Sequence, residues 1–596
     1  MDRALNGLGL LCGGFVALTL AGQAAAQVPA GAVADRPATD EIIYFLLPDR
    51  FENGDADNDR GGLAGDRLAT GYDPTDRSFY HGGDLKGLTA RLDYIQGLGA
   101  TALWIAPIFA NKPVQGPPGQ ESAAYHGYWI TDFTRVDPHL GTNADFRALV
   151  EAAHARGMKV YLDIVINHTA DVIQYRECRS WDCSYRGRAE YPATRRGGPA
   201  GEAINPGFDG ADFGRLNRPD YAFTPFTPEG EASVKAPAWL NDTTLYHNRG
   251  NSLWFGESAL DGDFSGLDDL YTENPRVVRG FIDLYGGWIR DYGIDGFRID
   301  TAKHVNPEFW QAFVPAILEI AREAGRPNFH IFGEVYGFEP GELARHTRVD
   351  GLPAVLDFAV QDAIRDTVAG TEGPDRLART FSGDVLYEGG ERTALQLPTF
   401  TGNHDMGRIG HMLLAARPDI TDDELLARAT LAHALMMFSR GVPVLYYGDE
   451  QGFTGDGDDK RARQDMFATR TPDYADDRRI GQASGPFDTG ADLYVSIAEM
   501  ARLRQADPRL RHGRQVVRAA DREPGLFALS RLDATGETLV LFNTSTMPLA
   551  RQVVVDPGSR AWRAVRGSCA AEVSATGSLA VDVPPLDYVI CISEGD

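Results

Sequence analysis

Eight short apolar runs, at residues 42–47, 102–108, 159–166, 296–299, 330–335, 354–358, 398–401 and 442–447, punctuate the chain. Segments of helical periodicity lie between them, among them 143–156, 275–292 and 307–324. Nearly continuous apolar strands alternating with helices mark a parallel sheet covered on both faces, because each strand must bury both of its sides. Eight such units predict an α/β fold, a (β/α)8 barrel over residues 41–507. The connection after the third run is far longer than the rest. Residues 169–273 are rich in Gly, Pro, Arg, Tyr and Asn. So long a connection is generally functional, and a large inserted excursion domain covering the barrel mouth is expected. Beyond residue 507 the pattern changes to short strands at 527–531, 538–543, 552–555, 579–583 and 588–592. Their turn-rich spacing predicts a C-terminal antiparallel β-sandwich over 508–596.

Residues 8–20 are apolar, and Ala24, Ala25 and Ala26 precede Gln27. This reads as a signal peptide over 1–26, followed by an Ala/Pro-rich linker over 27–40. The run is too short for a confident membrane span, and no later stretch approaches about 18 apolar residues. An exported protein, periplasmic or extracellular and without a stable membrane span, is expected. Cys178, Cys183, Cys569 and Cys591 then remain as two local pairs, which an oxidising compartment would close into two bridges. No histidine stands at ligand spacing beside either pair, which argues against zinc there. The 84 acidic residues outnumber the 58 basic ones, for a net charge of −26. That excludes a surface built to neutralise phosphate, hence a nucleic-acid partner. Uncharged molecules, polymers and metal ions remain. A monomer is expected.

Active sites of such barrels lie at the C-terminal ends of the strands. Those ends form an unusually polar set: Asp163, Asn167 and His168 after the third run, Arg298, Asp300, Lys303 and His304 after the fourth, Glu334 after the fifth, and Asn403, His404 and Asp405 after the seventh. Arg298 and Asp300 stand two apart on a strand and so point to one face. Asp300 and Glu334 lie one β/α unit apart and end adjacent strands. Any one of these acids alone would read as a helix cap or a loop charge. Three carboxylates with an arginine and histidines, at the strand ends of one barrel, are costly to cluster unless a function holds them there.

These segments resemble the four signature regions of glycoside hydrolase family 13, the α-amylase family, over nearly the whole chain from about residue 40. The opening run from Tyr44 to Phe51 and the closing run from Gly441 to Glu450 fit as well. The arrangement around Tyr80 and from Tyr125 to Trp129 is similar to exported, periplasmic bacterial members. The resemblance implies a retaining hydrolase of α-1,4-glucosidic bonds in starch-type glucans and maltooligosaccharides. It implies Asp300 as nucleophile, Glu334 as general acid/base and Asp405 as the third carboxylate, with Arg298 holding the nucleophile ionised. His168 and His404 would contact the sugar at the cleavage point, Tyr128 would form the aromatic platform beneath it with His126 alongside, and Lys303 would meet the leaving-group side. Asp163 reads as a buried partner of Arg298. The chemistry agrees with these roles: a nucleophile and an acid roughly 5–5.5 Å apart serve a retaining mechanism, the acid kept protonated by like charges and burial, the nucleophile ionised by a guanidinium.

Two calcium sites are implied. Asn53, Asp55, Asn58 and Asp59 with Gly82 and Asp84 resemble a calcium loop of bacterial relatives; Arg60 stands where an EF-hand needs glycine. Asn167, Asp269 and the backbone of His304 match the site that ties the insertion to the barrel. The acidic run 455–459 reads as a solvated loop. Ring-forming glucanotransferases carry a central aromatic where this chain has Ser265, with Phe264 adjacent, so hydrolysis is expected over cyclisation. Trp562 reads as core, whereas Trp181 and Trp239 are candidates for glucan contact. A cyclomaltodextrinase or glucanotransferase on the same scaffold, and a non-catalytic maltooligosaccharide-binding protein, are the alternatives.

Overall fold

A computed structural model describes residues 33–191, 222–455, 457, 459–475 and 477–594. The expected signal peptide, residues 27–32 of the linker, residues 192–221 of the insertion, Asp456 and Asp458 lie outside the described residues. Each apolar run forms a strand: β1 (Ile43–Leu46), β2 (Ala102–Ile105), β3 (Lys159–Ile164), β4 (Gly296–Ile299), β5 (His330–Gly333), β6 (Ala354–Val355), β7 (Pro398–Phe400) and β8 (Val442–Tyr446). They pair in the order β6-β5-β4-β3-β2-β1-β8-β7, and every pairing is parallel. The Asp357 N–H donates to Pro398 O at 2.9 Å and spans the seam between β6 and β7. Most strands are shorter than their apolar runs. Val165 and Ile166, for example, follow the last residue of β3 yet stay fully buried, because the chain turns over the barrel mouth there.

The helices begin and end where local chemistry dictates. Helix α1 (Asn143–Ala155) opens on a reciprocal Thr142–Asp145 capping box. Helix α2 (Pro275–Tyr292) opens on Asn274 with proline in its first turn, and ends at Gly293 with φ +66°. Helix α3 (Pro307–Glu323) follows β4. Among the described residues no helix is long and apolar enough to cross a membrane.

The insertion leaves after β3 and returns before α2. Its Cys178–Cys183 bridge is formed. A buried ionic tie fastens it: Lys235 Nζ lies 2.5 Å from Asp268 Oδ2 and donates to Tyr246 at 3.0 Å. Asp268 also accepts from the backbone N–H groups of Val172 and Ile173. Trp239 is half-buried. Its ring packs edge-on against Phe281 of α2 at 5.6 Å, beneath Arg276. Trp181 is exposed beside the bridge.

The C-terminal region holds β9 (Arg514–Ala520), β10 (Leu526–Asp533), β11 (Gly536–Asn543), β12 (Leu549–Val554), β13 (Ala561–Arg566), β14 (Ser568–Cys569), β15 (Ser578–Val583) and β16 (Tyr588–Glu594). They build antiparallel sheets β9-β10-β11-β16-β13 and β12-β15-β14. Trp562 is core between them. The expected second bridge is not formed. Cys569 and Cys591 come from different sheets, and their free thiols meet in a hydrogen bond that lowers the Cys569 pKa. The sandwich docks through Arg531 of β10, whose Nη1 donates to Phe438 O at 3.3 Å. Arg504 donates to Met437 O and Gly441 O, each at 2.7 Å. Both guanidiniums thus cap the C-terminal carbonyls of helix α4 (Asp422–Phe438). Burial pushes Arg531 down to about 9.

Replacing Lys235 by Met leaves Asp268 buried without its cation, which costs about 3–5 kcal/mol. Urea unfolding is expected to shift to a lower midpoint; an unchanged midpoint would contradict the tie.

Candidate active site

The centre of the site is Arg298 on β4, fully buried. Sheet register sets it opposite Asp163 on β3 and Phe332 on β5. Its Nη1 donates to Asp163 at 2.8 and 3.0 Å and to Asp300 Oδ1 at 2.8 Å. Its Nη2 lies 2.9 Å from Glu334 Oε1. Just past Asp300, Thr301 turns into left-handed backbone, φ +48°, and its N–H donates to Glu334 Oε2 at 3.0 Å. Adjacent strand ends thereby bring Asp300 and Glu334 onto the two terminal nitrogens of one guanidinium.

Asp405 follows β7, its N–H held by Asn403 Oδ1 at 2.9 Å. Its carboxylate lies 3.0 Å from Arg463 Nη2 and 3.1 Å from His404 Nε2. His404 also meets the Tyr128 hydroxyl at 2.9 Å, and that hydroxyl donates to Asp163 at 3.1 Å. The rings of Tyr128 and His404 stack at 5.6 Å, as do those of Tyr128 and His126. His168 is 1% exposed, and its Nε2 has no hydrogen-bond partner.

Burial sets the protonation of this cluster. It holds His168 down to about 3 and drives His126 and His404 well below the ordinary imidazole value, Arg463 adding to the effect on the latter two. Burial also raises Asp405, and lifts Asp163 to about 6. Arg298 favours the ionised form of Asp300, as expected from sequence, but against other pressures. It is divided among three acids, so burial and the charges of Glu334, Asp163 and Asp405 raise Asp300 well above the ordinary carboxylate range. With more acids than guanidiniums in contact, the cluster as a whole retains a proton, which belongs to no single acid.

Asp300, Glu334, Asp405, Tyr128, His126, His168, Lys303 and His304 line one cleft of about 550 Å3, with Arg298 and His404 beneath it. Lys303 reaches from its wall to donate to Tyr336 O at 2.6 Å, and His304 Nδ1 meets Ala259 O at 2.8 Å. Several lining residues were not singled out from sequence: Trp254, Tyr336, Lys460 and Arg463. Asp459, from the loop read as solvated, is half-exposed, lines the cleft and pairs with Arg463 at 3.2 Å. An Asp and Arg four apart, at a place where the acidic run becomes basic, was the available signal. Phe264, not Ser265, turns its ring into the cleft, stacked 5.5 Å from His168.

The residues of the first calcium loop converge. Asn53 donates to Asp59 at 2.8 Å, and Asp84 gathers the N–H groups of Gly54, Asp55 and Gly87 with the Asn58 amide. Gly82, at φ +98°, leaves no room for a Cβ, which would fall 2.6 Å from Asp59 Oδ1. Asp55 turns outward to Lys86 at 2.5 Å. Asn167 and Asp269 lie on neighbouring chain segments, with Leu270 N donating to Asn167 O at 2.9 Å. The Asp269 carboxylate, however, meets His247 Nδ1 at 2.5 Å, a histidine not singled out from sequence.

A parallel barrel that gathers buried acids around one arginine at its strand ends, under a cleft floored by tyrosine and neutral imidazoles, defines a class of (β/α)8 proteins with an acidic mouth. Within that class the chain belongs to the alpha-amylase family: residues 45–485 match the alpha amylase catalytic domain. An alpha-amylase of Streptomyces lividans is 46% identical over 568 residues, covering 94% of this chain; the chain spans only 61% of that relative. Among solved structures, the alpha-amylase of Geobacillus thermoleovorans complexed with acarbose superposes with a TM-score of 0.65 at 26% identity, over 94% of this chain and all of that one. CldA, a cyclomaltodextrin glucanotransferase with a three-domain ABC distribution, gives 0.67 at 28%, over 93% and 99%.

Because burial keeps His168 and His404 neutral, their ring 15N shifts are expected to stay those of neutral tautomers from pH 8 down to pH 5. An imidazolium signal from either ring at pH 5 would contradict the electrostatics given above.

Proposed function

We propose that the protein is a retaining glycoside hydrolase acting on α-1,4-glucosidic bonds of starch-type glucans and maltooligosaccharides. The observation that carries this reading is the guanidinium shared by Asp300 and Glu334 at the cleft floor. In the first step an Asp300 carboxylate oxygen bonds to the anomeric carbon as the glycosidic C–O bond breaks, and Glu334 gives its proton to the departing oxygen. In the second, Glu334 takes a proton from water. The water oxygen bonds to the anomeric carbon, the ester to Asp300 breaks, and the α configuration is restored. Asp405 accepts hydrogen bonds from hydroxyls of the bound sugar, and the neutral imidazoles of His168 and His404 supply hydrogen bonds without adding charge to the cationic transition state. Tyr128 lies beneath the ring, with His126 alongside, and Lys303 and His304 border the leaving-group side. Arg463, anchored by Asp459, steadies Asp405. The signal peptide, export and monomeric state belong to the same reading.

Calcium is the resident metal we propose, held by Asn53, Asn58, Asp59, Gly82 and Asp84, with Asp55 joining them by exchanging Lys86 for the ion. Asn58 Oδ1 is buried without a hydrogen-bond partner, and burial with the charges of Asp49 and Asp84 raises Asp59. A hard cation relieves both. Its part is structural: it fixes the loop. The set of Asn167, Asp269 and His304 fits less well, because Asp269 already faces His247.

One observation favours a second reading. The Phe264 ring in the cleft offers the stacking face a ring-forming glucanotransferase would use, so cyclisation stays open beside hydrolysis.

Glu334→Gln is expected to lower kcat on soluble starch about 10²–10⁴-fold with little change in Tm. NMR of the wild-type digest should show the α-anomer first; a β-anomer first would sink the retaining mechanism. Product analysis separates linear from cyclic oligosaccharides. Chelation is expected to lower Tm, and an unchanged Tm would refute the calcium loop.

A further inference from the structure

Where the insertion rejoins the barrel, three side chains outside the cleft converge. His247 Nε2 lies 3.0 Å from Glu273 Oε2 and 3.8 Å from Asp261 Oδ1, and the three ligand atoms all lie within 4.8 Å of one another. We propose that these three atoms bind a divalent transition metal of the zinc class.

The neighbours hold the three side chains around one point. Asp269 meets His247 Nδ1 at 2.5 Å. With Nδ1–H donated there, Nε2 shares its own proton with Glu273 at 3.0 Å, and a metal would take that proton's place, the carboxylate–imidazole–metal arrangement that orients ligands in metalloproteins. Arg188 pairs with the outward oxygens, Asp261 Oδ2 at 2.7 Å and Glu273 Oε1 at 3.3 Å. Asn306 steadies Glu273 Oε2 at 2.6 Å. Asp261 is the independent sign of a ligand. It is 1% exposed, and its inward Oδ1 has no hydrogen-bond partner. An unpaired carboxylate oxygen at such depth is costly, and a cation removes the cost. One imidazole nitrogen and two carboxylate oxygens suit zinc and its neighbours; calcium prefers six to eight oxygens.

Such an ion would tie together three points of the insertion, His247, Asp261 and its last residue Glu273 beside α2, with Asn306 ahead of α3 steadying Glu273. The inference does not rest on the glycosidase reading, and its test does not read activity.

The full chain would be stripped with chelator and returned to excess calcium, so that oxygen-only sites are filled, then titrated calorimetrically with Zn2+. One equivalent is expected to bind, at least about tenfold more weakly in His247→Gln and Glu273→Gln. Crystals of the wild-type protein soaked in Zn2+ should give an anomalous peak among the three named atoms, a result that does not depend on either variant folding. No binding beside calcium, unchanged affinity in His247→Gln, or a peak only elsewhere would overturn the site. The first of these outcomes would mean that a proton on Nε2, not a metal, balances the acids.

Discussion

A single buried guanidinium organises this protein's chemistry. Arg298 sits within contact distance of Asp163, Asp300 and Glu334, and no two of those acids could be buried side by side without it. Its place follows from the barrel. Parallel register aligns Arg298 with Asp163, and the short crossover geometry sets the ends of β4 and β5 next to each other. The sheet thereby converts sequence order into a charge cluster. The Tyr128 hydroxyl and the His404 ring close the cluster from the cleft side. Because three acids share one cation, its charge is spread thin, and the site keeps proton affinity that a simple Asp–Arg pair would lose.

Much of this was legible beforehand because strands of a parallel barrel advertise themselves. Each is an apolar run, and a polar residue at its end has nowhere to go but the mouth. The eight strands, the helices after β2 and β4, and the acids Asp300, Glu334 and Asp405 were found that way. What escaped depends on loops whose path no periodicity sets. Arg463 reaches Asp405 across 58 residues of sequence, and nothing local announces that meeting. Phe264 and Ser265 are neighbours, so a one-residue uncertainty in the turn decided which one faces the cleft. His247 lies in a stretch without helical or strand periodicity. The cysteine pair in the sandwich does come together across the two sheets, but as two thiols, so its partnership was legible and the bond was not.

The insertion is held by matched opposites. Adjacent acids Asp268 and Asp269 receive Lys235 and His247 respectively, all four buried. Both contacts come from one short segment, so a local strand of two residues ties two turns of the insertion to the chain leaving β3. Here the chain's large acidic excess is not a surface property alone: part of it is internal and individually neutralised, which is why the fold tolerates it.

The carbonyls at the end of α4 are satisfied by Arg504 and by Arg531, the latter on a strand of the sandwich. A polypeptide emerging from the ribosome in order of synthesis therefore cannot finish its barrel when the last barrel strand appears. That helix end waits for a residue made some ninety positions later, separated from Phe438 by 93 in sequence. Arg504, made earlier, supplies the first cap, and the sandwich adds its own contact to the barrel only when Arg531 is in place.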